Sequence, residues 1–297
     1  MHFPTLRQLE FLCAVSDQGS FSRAAEVCHV TQPTLSSAIK EIENLLGVTL
    51  VERQARGVAL TAAGVATVSR ARTILADAAD LVSAAQQAGT PLTGPFRLGA
   101  IPTIAPYLLP RSLSTLRDAY PDLQLFLRED QTERLLTVLK ARSLDAALIA
   151  LPWDLPGIET MALCEDEFLL VAPPDHRLLS LPKLRTSMIA DEDVLLLEDG
   201  HCLRTHALSV CRLPTGREGA DVTATSLATL VHMVAGGLGI SLLPKLAIDG
   251  GVTSGINVAT RAFDSPLIGR QIGLAWRKGS PRADEAKMIA KTIKAVV

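Results

Sequence analysis

Apolar positions over the first fifty residues recur at helical spacing. Leu6, Leu9 and Cys13, with Phe11 and Leu12 beside them, mark a first helix. Gly19-Ser20 breaks the pattern, and Ser20 is a good N-cap for a second helix over Phe21 to Val27. His29-Val30 makes a short turn. Thr31 caps a third helix, with Pro33 in its first turn, where a missing N–H costs nothing. Leu35, Ile39, Ile42 and Leu46 then give one buried stripe, ended by Gly47. Two short helices about a tight turn, the second amphipathic, are a helix-turn-helix plan. The outward positions of the second are Gln32, Thr34, Ser36, Ser37 and Lys40, short polar side chains suited to base edges and phosphates. Two apolar runs around Gln54-Ala55-Arg56-Gly57 predict a small hairpin, a wing, with Arg53 and Arg56 placed to touch phosphate.

The next stretch, 61–88, lacks proline and has no glycine after Gly64. Thr61 is its cap. Val68, Ala71, Leu75, Ala78, Val82 and Ala85 alternate at spacings of three and four, a heptad seam. Such a helix either pairs with its copy in a dimer or packs within its own chain. The dimer is the favoured reading, because helix-turn-helix proteins read two half-sites through two-fold symmetry. Gly89-Thr90-Pro91-Leu92-Thr93-Gly94-Pro95 is a hinge. The expected organisation is a helical domain over 1–60, either a DNA binder or a plain small helical bundle, a linker helix and hinge over 61–94, and a third region over 95–297.

From residue 96 the pattern changes to short apolar runs alternating with helical stretches. Runs at Phe96–Ile101, Leu123–Arg128, Ala146–Ala150, Phe168–Val171, Val194–Leu197, Ile240–Leu242 and Ile272–Trp276 read as buried strands. Tyr107–Ala119, Glu133–Ala141 and Leu227–Val234 read as helices. This alternation predicts an α/β fold with a mainly parallel sheet. Strand ends and helix N-termini in such a fold point donors into a cleft. Pro102-Thr103 closes the first strand and Gln131-Thr132 opens a helix after the second. Each threonine is thus a helix cap or a cleft residue.

Composition narrows the class. Apolar residues make up 48% of the 297, which excludes disorder. No run of apolar residues is long enough to span a membrane, and the N-terminus has no signal-peptide pattern, so a cytoplasmic protein is expected. Net charge is −2. Within 1–60, Arg7, Arg23, Lys40, Arg53 and Arg56 face Glu10, Asp17, Glu26, Glu41, Glu43 and Glu52. DNA binding must therefore come from where a few cations sit, since there is no basic surplus.

The 5 cysteines do not make a secreted disulfide scaffold. Cys13 and Cys28 lie on apolar helix faces as small core residues. Cys164 precedes Glu165-Asp166-Glu167, whose charges disfavour a thiolate. Cys202 differs: His201 and Arg204 flank it, Gly200 precedes it at a helix start, and Cys211 follows. Positive neighbours and a helix N-terminus favour the thiolate. Cys211 offers a second thiol to trap a sulfenic acid. Were 202–211 one helix, the two Cα atoms would lie about 13 Å apart. A disulfide needs about 7 Å or less, so oxidation would have to unwind the segment. Two inert thiols fit the same spacing. A zinc site with His201 and His206 lacks the short knuckle between cysteines. No cofactor and no metal are expected.

The segments SFSRAAEVCHVTQPTLSSAIKEIENLLGVTLVER and LTAAG resemble the winged helix-turn-helix of LysR-type transcriptional regulators. FRLGAIPTIAPYLLP and MVAGGLGISLLP resemble landmarks of the family's periplasmic-binding-protein-like effector domain. The resemblance implies subdomains at 95–165 plus 268–297 and at 166–267. It places Thr31, Gln32, Pro33, Ser36, Ser37 and Lys40 at the DNA surface, and Arg53 in the wing. LEDGHCLRTHALSVC is similar to the redox segment of the family's hydrogen-peroxide-sensing members. Carried over, Cys202 is the peroxidatic cysteine, Cys211 the resolving one and His201 its hydrogen-bonding neighbour. Thr103 and Thr132 hold peroxide, and Arg270 supports the thiolate. Implied partners are promoter DNA, RNA polymerase, further copies of the chain as a dimer of dimers, and glutaredoxin or thioredoxin as reductant. The implied function is activation of oxidative-stress defence genes, not an enzyme's. A family member sensing a small organic anion, and a thiol peroxidase, are the alternatives.

Overall fold

The computed structural model describes residues 3–54, 57–86, 91–152, 156–200, 202–204, 223–264 and 268–297. The chain forms two compact units, one N-terminal up to Gly89 and one formed in the main by Thr90 onward.

In the first unit, α1 (Leu6–Gln18) opens at a reciprocal cap: the Thr5 hydroxyl accepts from the Gln8 amide and the Gln8 side chain accepts from the Thr5 amide. α2 (Phe21–Val27) and α3 (Gln32–Leu46) open at Ser20 and Thr31, as their sequence caps require. Leu9, Leu12, Val15, Leu35, Ile39 and Ile42 form the buried centre with Leu50. Each such side chain contributes about 1.5–3 kcal/mol through burial. The expected stripe ends at Ile42. Leu46 is 43% exposed, because the buried cluster takes nothing from the last turn of α3.

Strands β1 (Val51–Gln54) and β2 (Gly57–Leu60) form the antiparallel wing, with Arg53 opposite Val58. Glu43 of α3 carries this wing, since its Oε1 accepts from the Leu50 and Val51 amides at 2.8 and 3.1 Å. At the other end the Val58 amide donates to the Gly19 carbonyl. A Cβ on Gly57 would lie 2.8 Å from that same oxygen, at a φ of +115°. Only glycine allows so close an approach there.

The long helix α4 (Ala62–Gln86) starts where the Thr61 hydroxyl accepts from the Gly64 amide. Val68 and Ala71, two of the expected seam positions, are buried within this chain's own N-terminal core. Past them, Ile74, Leu81 and Val82 are exposed.

Among the described residues, the second unit is built on a sheet of eight strands. Its elements are β3 (Gly94–Ala100), α5 (Ala105–Ala119), β4 (Leu123–Glu129), α6 (Thr132–Lys140), β5 (Ala146–Leu151), β6 (Ile158–Ala172) and β7 (Val194–Leu195). They continue as α7 (Leu227–Ala235), β8 (Ile240–Pro244), α8 (Lys245–Asp249), β9 (Ala259–Arg261), β10 (Gly269–Arg277) and α9 (Ala283–Lys294). The strand order is β4-β3-β5-β10-β6-β8-β7, with β9 on β6. β3 runs parallel to β4 and to β5, and β7 parallel to β8. The sheet is not mainly parallel throughout, however. β10 is antiparallel to both β5 and β6, and β6 is antiparallel to β8. The difference arises because β6 and β10 are long return strands, and a returning strand meets its neighbours head to tail.

Two buried clusters flank these return strands. One contains Phe96, Leu98, Leu108, Leu148, Leu274 and Ile289. The other contains Phe168, Leu170, Val231, Leu242 and Leu243. The start of the unit is tied to its last helix: the Leu92 amide donates to Glu285 Oε1 at 2.8 Å.

Candidate functional site

The site lies where β3 ends, α6 begins and a helical turn at 202–204 starts. Ile101, Pro102, Thr103, Gln131, Thr132, Gly200 and Cys202 line one small cleft. Sequence reasoning placed three of these, Thr103, Thr132 and Cys202, at one site from positions almost a hundred residues apart. Cys202 is 8% exposed and packs in the first buried cluster, while Leu203 beside it packs in the second. The Cys202 thiol is therefore attached to the junction of two cores. Gly200 has a φ of +94°, and a Cβ there would meet the Gln131 carboxamide at 2.7 Å. Glycine lets that side chain lie directly against the approach to Cys202.

Arg270 is wholly buried and its hydrogen bonds are directional. Nε donates to Asp166 Oδ2 at 2.9 Å, Nη1 to Thr103 Oγ1 at 2.6 Å, and Nη2 to the Thr103 carbonyl at 2.9 Å. Register puts Arg270 of β10 directly opposite Asp166 of β6. The second oxygen of Asp166 accepts from the Leu246 amide at the start of α8. Thr132 is also buried, and its Oγ1 has no hydrogen-bond partner among the described residues. A buried hydroxyl without a partner costs about 1–3 kcal/mol, so it calls for a ligand or a bound molecule.

One expected contributor is placed otherwise. Arg204 does not give its charge to the thiol alone: Nε pairs with Asp199 at 2.9 Å and Nη1 donates to the Leu197 carbonyl. His201 and Cys211 lie outside the described residues. Asp166 escaped the sequence reading. It was seen only as a charge hostile to Cys164, and its partner stands 104 residues away in the chain. That hostility is real. Burial, reinforced by the Asp166 charge, pushes the Cys164 thiol up to about 11. At pH 8 only about one part in a thousand is thiolate, and reactivity returns as pH rises towards 11. Alkylation with iodoacetamide at pH 8 is expected to leave Cys164 unmodified while Cys202 reacts, as peptide mapping would reveal. Equal labelling of the two would be inconsistent with this.

In the first unit, Thr31, Gln32, Pro33, Ser37 and Lys40 are exposed along one side of α3, and Ser36 is half-buried. The Thr31 and Thr34 hydroxyls are bonded to each other at 2.8 Å, which fixes the first turn. The Ser37 hydroxyl donates to Glu41, which also accepts from Gln8. The backbone of Arg53 lies in β1; its side chain is outside what is described. Among the described residues no group of metal-ligating side chains is found, and no helix is long and apolar enough to cross a membrane.

A winged helix-turn-helix joined to an α/β unit with a small cleft is the plan of a ligand-responsive transcriptional regulator. Residues 6–65 match the bacterial regulatory helix-turn-helix of the lysR family, and 89–296 match the LysR substrate binding domain. The chain belongs to the LysR family of transcriptional regulators. It is 41% identical to a probable hydrogen peroxide-inducible genes activator of Streptomyces viridosporus, over 98% of this chain and 94% of that protein. It is 39% identical to the DNA-binding transcriptional dual regulator OxyR of Escherichia coli, over 98% and 95%. A full-length OxyR cysteine variant from Pseudomonas aeruginosa superposes with a TM-score of 0.81 at 34% identity, covering 100% of this chain and 96% of that one. A Corynebacterium glutamicum OxyR mutant with hydrogen peroxide bound superposes with a TM-score of 0.68 at 38% identity, over 99% and 93%.

Proposed function

We propose that this regulator senses hydrogen peroxide at Cys202 and responds by activating transcription from DNA held by α3. The observation that carries the reading is the cleft itself. A buried cysteine, a threonine locked by a guanidinium and an unpartnered buried hydroxyl converge on one small space. Peroxide is small, neutral and both donor and acceptor, so two hydroxyls and a thiolate suit it. An organic carboxylate would instead want an unpaired cation, and Arg270 is already committed to Asp166 and Thr103. The names of the relatives agree with this choice.

The reaction runs in two steps. The Cys202 thiolate forms an S–O bond with one peroxide oxygen. The O–O bond breaks with its electron pair leaving on the other oxygen, and that hydroxide takes a proton from solvent to become water. Sulfur is oxidised to a sulfenic acid and peroxide is reduced. The Cys211 thiol then displaces a second water and closes the disulfide, with His201 hydrogen-bonding at the peroxidatic sulfur. A dithiol donor of the glutaredoxin or thioredoxin class resets the pair. Because residues 202 and 203 belong to different cores, movement at Cys202 repacks both.

DNA contact rests on Thr31, the cap of α3, on Gln32, Pro33, Ser36, Ser37 and Lys40 of that helix, and on Arg53 in the wing. The exposed Ile74, Leu81 and Val82 of α4 support a dimer helix, and paired dimers engage RNA polymerase at promoters in the cytoplasm. Lys40→Ala is expected to weaken binding to all sequences alike and to reduce the salt slope by about 1. Titration of the variant at several salt concentrations measures it, and an unchanged slope removes Lys40 from the interface.

Intact-mass measurement tests the sensing chemistry. Peroxide treatment is expected to remove the mass of two hydrogens, mapped to a peptide pair containing Cys202 and Cys211. An unchanged mass overturns the proposal in favour of a small-anion regulator. Many turnovers of peroxide per chain with a reductant present would indicate a thiol peroxidase.

A further inference from the structure

We infer that Asp166 is a positioning residue for peroxide reduction: by fixing the plane of Arg270 it makes the Thr103 hydroxyl a donor into the cleft. The inference rests on the peroxide reading above and adds a residue and a direction of hydrogen bonding to it.

The argument is one of donor and acceptor counting. A guanidinium has only donors, and a threonine hydroxyl has one donor and two acceptor positions. Arg270 Nη1 donates to Thr103 Oγ1 at 2.6 Å. The oxygen is therefore the acceptor in that bond, and the hydroxyl proton must point elsewhere. No described residue accepts it, and Thr103 lines the cleft together with Cys202. The proton is thus available to the oxygen that leaves when the O–O bond breaks, where negative charge develops. A donor aimed at developing charge acts more strongly in a buried site than in water. Thr132 Oγ1, without a described partner, is free to accept a hydrogen bond from the peroxide.

This polarity holds only while the guanidinium keeps its plane. Four observations show what keeps it. Asp166 takes Nε, and its other oxygen is pinned by the Leu246 amide, so the carboxylate cannot rotate. Nη2 is held by the Thr103 carbonyl, so Arg270 grips both the backbone and the side chain of Thr103. The ladder sets Asp166 and Arg270 opposite each other on the two return strands. Both side chains are essentially without solvent contact, at 2% and 0% exposure. Arg270 therefore acts on the reaction through Thr103, not as a bare charge beside sulfur.

The test uses the full-length reduced chain with quenched-flow mass spectrometry of the Cys202 peptide. Two rates are compared: oxidation by hydrogen peroxide, which needs the leaving-group donor, and alkylation by iodoacetamide, which needs only the thiolate. Asp166→Asn, which keeps the volume and one acceptor, is expected to slow peroxide oxidation by at least about tenfold while alkylation across neutral pH changes by less than about twofold. Arg270→Lys keeps a charge beside Asp166 but loses the fork, and gives the same split; it decides the matter if Asp166→Asn does not fold. Adding Asp166→Asn to Thr103→Val is expected to cost little beyond Thr103→Val alone. Peroxide oxidation at the unmodified rate in these variants overturns the inference. So does an equal fall in both rates, which would mean a merely structural role. If the unmodified chain is itself not oxidised by peroxide, the functional reading fails instead.

Discussion

Cys202→Ser is expected to abolish peroxide induction of transcription and to leave promoter affinity unchanged. The two halves of this outcome follow from separate parts of the molecule. Serine is close to cysteine in volume, so it fills the same space at the start of the 202–204 turn, where Cys202 is 8% exposed. It cannot form a sulfenic acid, so the first bond of the switch is never made. The DNA surface proposed above lies on α3 and the wing in the other compact unit, whose buried centre is its own. Nothing in that centre depends on Cys202. A reporter assay measures induction and a gel-shift titration measures affinity. Normal induction in the variant would falsify the assignment of Cys202, and lost affinity would show that the thiol serves the fold rather than the signal.

Arg270→Met is expected to be the most damaging single change to the second unit. It removes the cation from a pair in which both members are buried, and leaves Asp166 with only the Leu246 amide. Breaking a buried pair by removing one partner costs about 3–5 kcal/mol. For a unit of this size that lowers Tm by roughly 10 °C. The same change frees Thr103 Oγ1 and loses the peroxide response. Thermal unfolding measures the first effect. Replacing both partners, as Asp166→Leu with Arg270→Met, is expected to recover much of the stability, since no charge is left unpaired. It is not expected to recover the response. Stability no better in the double variant than in the single one would mean that packing, not charge, sets the loss.

Much of the N-terminal unit was legible because its signals are local. Ser20, Thr31 and Thr61 each cap the helix that follows within three residues, and the apolar stripe of α3 records its buried face; the Thr5 cap of α1 came only with the structure. Local patterning misled only where burial ended, at Leu46. The α4 seam was readable as a pattern but not as an assignment, because a heptad does not say whether its partner is in the same chain. Val68 and Ala71 turned out to face α1's own core. In the second unit most strands were legible as apolar runs, yet β9 (Ala259–Arg261) and the first half of β6 (Ile158–Ala172) were not, and nor was the strand order. β10 lies between β5 and β6 by pairing with residues over a hundred positions earlier, and no short-range signal encodes that. The cleft was half legible for the same reason. Cys202 announces itself through its neighbours, whereas Arg270 and Asp166 meet only once the sheet is complete. Arg204 shows the converse: it is adjacent in sequence but turned to Asp199.

The position of β10 has a consequence for how the protein is made. Its residues, 269–277, complete the middle of the sheet, yet they leave the ribosome after every other strand. Synthesis delivers β5 and β6 as two open edges with a strand-wide space between them. The N-terminal unit has by then all its residues. Arg270 reaches Thr103 and Asp166 only with that last insertion. A nascent or C-terminally truncated chain that lacks residue 270 therefore carries Cys202 without the arginine that holds Thr103 in the same cleft.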